Sequence, residues 1–185
     1  MTSATNLARY IIYLIKKQMK NIQPEEFDVT PLKIQKLLYY CQGYALALTG
    51  EKLFDEPIEA WKYGPVVDAV YQEYKKYNGQ IIPEIQSINF NEIDDTARSI
   101  VKMVIEEKNR FSGTALADAT HRETPYVSCY KGAYINAIIP EEVLKDFFSQ
   151  QFLKREEPED DEDEFWMSAG KTVSLETLEA VLEKI

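Results

Sequence analysis

Residues 31–49 read PLKIQKLLYYCQGYALALT, and this stretch decides the fold. At the helical rotation of about 100° per residue, Ile34, Leu37, Leu38, Cys41, Tyr44, Ala45 and Leu48 share one broad face, as a core-facing helix requires. The opposite side is not simply polar: Leu32, Lys36, Tyr39, Gly43 and Leu46 form a second ridge at four- and three-residue spacing. A helix with two such sides is expected to be covered twice by the fold or offered to a partner. Thr30 suits the N-cap, Pro31 the first helical position and Gly50 the stop.

Upstream, Leu7, Ala8, Ile11, Ile12, Ile15 and Met19 predict an amphipathic helix that stops near the polar Asn21 to Pro24 segment. Downstream, Lys52 to Phe54 and Ile58 to Trp61 read as two short strands around an Asp55-Glu56-Pro57 turn. Gly64-Pro65 should break the chain and restart it as a helix carrying Val67, Val70, Tyr71, Tyr74 and Tyr77, closed by Asn78-Gly79. Asn91 is the expected cap of a helix bearing Ile93, Ala97, Ile100, Val101, Val104 and Ile105. Ser112 caps a short helix that ends between His121 and Pro125, and Pro140 opens a last one with Val143, Leu144, Phe147, Phe148 and Phe152. The expected fold is mainly α: one compact helical domain over residues 1–155 with a small β-hairpin, then an acidic tail over 156–185 ending in a short amphipathic helix.

The chain has 185 residues and a formal net charge of −10, but the charge is unevenly placed. Residues 1–155 carry 19 basic against 20 acidic side chains, and residues 156–185 carry 2 against 11. The run EEPEDDEDE at 156–164 repels itself and reads as a solvated linker. Phe165, Trp166 and Met167 follow it, and then a stripe from Leu175 to Ile185. Those apolar groups either dock on a partner or the domain, or form a weakly ordered helix after a spacer. Two cysteines, no signal peptide and no apolar run of membrane-spanning length point to a reduced, cytoplasmic chain.

Catalysis is disfavoured. His121 is the single histidine, so a His-based metal cluster is excluded, and Cys41 lies on a core face. Neither a metal nor a cofactor is expected. His121 instead suits a helix terminus, as a cation or bonded to the Glu123 carboxylate. Gly-Lys-Thr at 170–172 ends like a phosphate loop, yet Phe165 stands where that loop needs its first Gly and an acid run replaces the preceding strand. With no net positive charge, the domain is poorly suited to direct nucleic-acid binding.

The order Leu32-Lys-x-Gln-Lys-Leu-Leu-Tyr39, then Phe54, Pro57, Glu59-Ala60-Trp61 and Tyr63-Gly64-Pro65-Val66, resembles the Panacea domain of SocA-like, phage-associated antitoxins. A weaker likeness continues through Thr120-His121, Pro125 and residues 135–148, and it leaves out the acidic tail. Tyr126 stands where the family usually carries Trp after that Pro. The resemblance implies a helical antitoxin that neutralises a cognate protein toxin by direct binding, some relatives also delivering the toxin to an AAA+ protease. The competing reading is a non-enzymatic, phage-associated regulator whose acidic tail mimics nucleic acid.

Binding without chemistry needs aromatic and basic anchors at a surface. The second ridge with its neighbours offers Lys33, Lys36, Tyr39 and Tyr40, the lysines expected to be solvated, and the next passage offers Trp61, Lys62 and Tyr63. The plainer alternative is that the aromatic groups among them pack the hairpin onto the helix. Gly64 and Pro65 read as structural, as do His121 and Pro125.

Overall fold

The structure is a computed structural model that describes residues 1–19, 29–83, 86–132 and 135–156. Its elements in chain order are α1 (Ala4–Met19), α2 (Pro31–Thr49), β1 (Glu59–Trp61), β2 (Gly64–Val66), α3 (Asp68–Tyr74), α4 (Asp95–Lys108), α5 (Gly113–Thr120), α6 (Thr124–Cys129), β3 (Ala137–Ile138) and α7 (Glu141–Glu156). The fold is mainly helical with one small antiparallel sheet of order β2-β1-β3, in keeping with the expected class. The tail, with its proposed terminal helix and the Gly-Lys-Thr run, lies outside the described residues, as does the Asn21 to Pro24 stop.

Helix α2 is the axle. Helices α1, α3, α4, α5 and α7 and strand β2 all pack against it, so every residue from Lys33 to Leu46 is buried. Its ends are set as expected: Thr30 Oγ1 accepts from the Lys33 N–H, and Gly50 takes the left-handed conformation at φ 77°. The close approach of α7 depends on Gly43, where a Cβ would lie 2.1 Å from the Phe148 ring. Tyr39, Tyr40, Tyr44 and Phe148 then meet edge to face, with centroids 5.2–6.3 Å apart.

Several local expectations give way. Lys52 to Phe54 is not a strand, because the Gln42 side chain satisfies its backbone: Oε1 accepts from the Leu53 N–H and Nε2 donates to the Phe54 carbonyl, both at 2.9 Å. Leu53 and Phe54 are both buried, which breaks the alternation a half-buried strand needs. The hairpin forms one step later, with Glu59 opposite Val66, Ala60 opposite Pro65 and Trp61 opposite Gly64, and Lys62-Tyr63 as the turn. Pro65 therefore sits in a strand rather than opening a helix. β2 is an edge strand, where a missing N–H is tolerated. Helix α3 starts at Asp68, held to α1 by the forked Arg9 to Glu73 pair at 3.1 Å on each nitrogen.

The α4 cap is Asp94, whose carboxylate accepts from the Ala97 N–H, whereas Asn89 caps a separate short turn at Phe90–Glu92. Asn91 caps nothing; Asp94 precedes the periodic face by the right step and brings a negative charge to the helix start. The six apolar positions predicted for this helix are all buried. Ser112 caps α5 as expected, and Pro125 lies in the first turn of α6, a helix too short for periodicity to reveal.

Candidate partner-binding surface

The site residues divide into two groups of opposite character. Lys33, Lys36, Tyr39 and Tyr40 lie inside the molecule, and the solvated lysines expected from sequence are not found. The reason is the crowding around α2: α4 and α5 cover one side and β2 another, so no face remains for water. Each long polar side chain instead crosses to a neighbouring segment. Lys33 Nζ donates to the Asn109 carbonyl at 2.6 Å, and Lys36 Nζ donates to the Pro65 carbonyl at 2.9 Å. Gln35 accepts from the Val67 N–H at 2.8 Å and donates to the Val67 carbonyl at 3.2 Å.

Lys36 carries a clear cost of burial. Burial alone pushes its ammonium down to about 7, and the Pro65 carbonyl that it meets is neutral. Gly64, at φ 93°, is fitted against it: a Cβ there would stand 2.6 Å from Lys36 Nζ and 2.8 Å from Thr120 Oγ1. Glycine is needed at this point both for the positive φ and for the space. The hairpin is thereby seated on α2 by a lysine tip below and a glycine above it.

Tyr39 and Tyr40 converge on Glu123, donating to its two carboxylate oxygens at 2.7 and 2.9 Å. Burial raises the Glu123 carboxyl above its ordinary range, against the two tyrosine bonds and nearby Lys108, which pull it down. Both phenols are pushed well up, by burial first and then by the Glu123 charge. His121 does not reach Glu123. Its Nε2 is buried without a hydrogen-bond partner, and its ring lies 4.8 Å from that of Tyr126. The carboxylate was taken instead by two tyrosines 83 and 84 residues away, a pairing that local sequence could not show. Cys41 is fully buried and its thiol is pushed far up, so it packs as an apolar group.

The second group faces water. Tyr63, at the hairpin turn, is 63% exposed, with Lys62 Nζ 5.1 Å from the centre of its ring. Trp61 is half-buried, its indole N–H donating to Glu59 Oε2 at 2.7 Å and its ring meeting that of Tyr71 at 4.9 Å. Tyr71 is exposed as well, whereas Tyr74 of the same helix is buried. From beneath, Tyr126 O–H donates to the Trp61 carbonyl at 2.9 Å. The aromatic ring that follows Pro125 thus supports the hairpin through a phenol. The result is an aromatic and basic surface on a strand turn whose backbone is held from two sides.

A family model described as "Antitoxin SocA-like, Panacea domain" matches residues 34–126, half of the chain. The chain belongs to this family. The match begins inside α2 and ends at Tyr126, so it takes in the Lys36, Gly64 and Tyr126 contacts that seat the hairpin. Comparison with curated proteins and with solved structures found no match. The family name assigns this Panacea protein a general antitoxin role and, with it, a protein partner such as a toxin. Among the described residues, no helix is long and apolar enough to cross a membrane.

Proposed function

We propose that this Panacea protein neutralises a cognate protein toxin by direct, non-enzymatic binding, and that the contact is made by Trp61, Lys62, Tyr63 and Tyr71. The observation that carries this reading is the hairpin turn: exposed aromatic rings and a lysine on a backbone fixed by Lys36 and Tyr126. Aromatic side chains bury large area for little lost rotamer freedom, and a fixed backbone lowers the ordering cost of association. Lys33, Lys36, Tyr39 and Tyr40 belong to this reading only as supports of the surface, since none of them reaches solvent.

The test is co-expression of the chain with the product of the neighbouring gene, scored by growth rescue and by co-purification. Direct neutralisation predicts both, and the double variant Trp61→Ala, Tyr63→Ala should lose both while remaining folded. A stable complex that this variant leaves intact would move the interface elsewhere on the domain. Delivery to an AAA+ protease is the further step proposed for the family. It predicts that the toxin's half-life in cells shortens when the antitoxin is present, and that protease deletion abolishes the shortening. An unchanged half-life alongside full rescue would leave occlusion as the mechanism.

A further inference from the structure

A groove of about 520 Å³ lies where α2, α4, the α5–α6 junction and α7 meet, away from the residues assigned to toxin contact. Its walls are the rings of Tyr40, Tyr44, Phe147, Phe148 and Phe152, and its rim carries Arg122. The volume is that of a side-chain or small-ligand site, about 300–1,000 Å³. Its other charged groups are already engaged. Lys108 pairs with Glu107 at 2.8 Å and lies 4.7 Å from the Tyr40 ring centre, and both Glu123 oxygens accept from tyrosines. Arg122 is exposed and has no ion-pair partner among the described residues. The groove therefore asks for an aromatic or aliphatic occupant accompanied by an anion.

The chain supplies both directly after the groove's own wall. Helix α7 contributes Phe147, Phe148 and Phe152 and ends at Glu156, where the acidic run 156–164 begins and leads into Phe165-Trp166-Met167. Eight residues lie between Glu156 and Phe165, so that the nine Cα-to-Cα steps give a reach of about 30 Å when extended. Returning from the end of α7 to the level of Phe148 takes only about 12 Å at the helical rise. A short tether of this kind presents its far end at millimolar effective concentration, so even a weak apolar contact would be populated. The acidic residues of such a tether are within reach of Arg122.

We propose that Phe165, Trp166 and Met167 of the same chain occupy this groove, with the acidic run between 156 and 164 paired to Arg122. The test uses the full chain with 5-fluorotryptophan at its two positions, Trp61 and Trp166, read by fluorine NMR. Trp166→Phe identifies the second resonance. Docking predicts a Trp166 signal whose H₂O/D₂O isotope shift is less than half that of the urea-unfolded chain, and which does not change on dilution. Arg122→Glu and Phe147→Ala, made singly, should each return that signal toward its unfolded position and leave Trp61 unmoved. A full solvent isotope shift at Trp166 in the unaltered chain overturns the proposal, as does a protected signal that neither substitution moves. A signal that changes on dilution also overturns it, by assigning the groove to a second copy.

Discussion

The outer ridge of α2 and the β1–β2 turn have nearly the same chemical make-up, lysines beside tyrosines, and they end in opposite environments. Lys36 and Tyr39 are 0% exposed, whereas Tyr63 is 63% exposed. The difference follows from what surrounds each backbone. A helix at the centre of five others has no free side, so its polar tips must find partners in neighbouring segments. A two-residue turn at the end of a three-residue strand has no neighbour to cover it. Composition marks a segment as capable of binding, and topology decides whether the partner is the same chain or another.

This contrast can be broken most sharply from the inside. Tyr39→Ala removes a fully buried ring and one of the two bonds to Glu123, and should cost about 4 kcal/mol in urea-unfolding free energy. Gly43→Ala forces a Cβ into the Phe148 ring and should cost about 3 kcal/mol by the same measurement. A value under about 1 kcal/mol for either would mean that α7 does not hold α2 as described.

On the outer side the expected pattern reverses. Tyr63→Ala should leave unfolding within about 0.5 kcal/mol of the parent. It should weaken toxin binding by about 2 kcal/mol, roughly thirtyfold, in a titration. An equal loss of stability and affinity would place Tyr63 with the ridge.

Lys36 gives the pH dependence. Its folded value is lowered from 10.5 to about 7, so between those two values the unfolded chain holds a proton that the folded chain has released. Stability should therefore rise with pH across that window, with a slope approaching 1.4 kcal/mol per unit, and the cost of the buried charge should be fully present below pH 7. Lys36→Met should flatten the rise, seen as a urea midpoint that no longer moves between pH 7 and 9. The smallest effect belongs to Lys62→Ala, about 0.5 kcal/mol, expressed as a slower and less salt-sensitive association with the toxin.

The sequence was most informative where the signal is local and periodic. The α2 caps, the buried stripe of α4 and the Ser112 cap all follow from residues within one or two turns. It was least informative where a side chain replaces a backbone partner. Gln42 stands in for a strand opposite Leu53 and Phe54, so a β-like run became an irregular one and the hairpin moved forward to Gly64-Pro65-Val66. The two-sided character of α2 was readable in its ridges, but solvation of Lys33 and Lys36 was the wrong inference. A long lysine stem packs well in a crowded core once its tip finds a carbonyl. At the candidate surface, Trp61, Lys62 and Tyr63 were visible from the motif, whereas Tyr71 needed the fold to bring it against Trp61.

The polar side chains of α2 also set an order of assembly. Gln42 reaches segments 11 and 12 residues away, Lys36 and Gln35 reach 29 and 32, and Tyr39 and Tyr40 reach 84 and 83. Loop closure is cheapest for the nearest of these, so the loop after α2 and then the hairpin should gather on the helix before Glu123 arrives. Substitution of Gln42 should then slow folding, while substitution of Glu123 should chiefly speed unfolding. The surface offered to a partner would be shaped early, and the latch that secures the helix beneath it would close last.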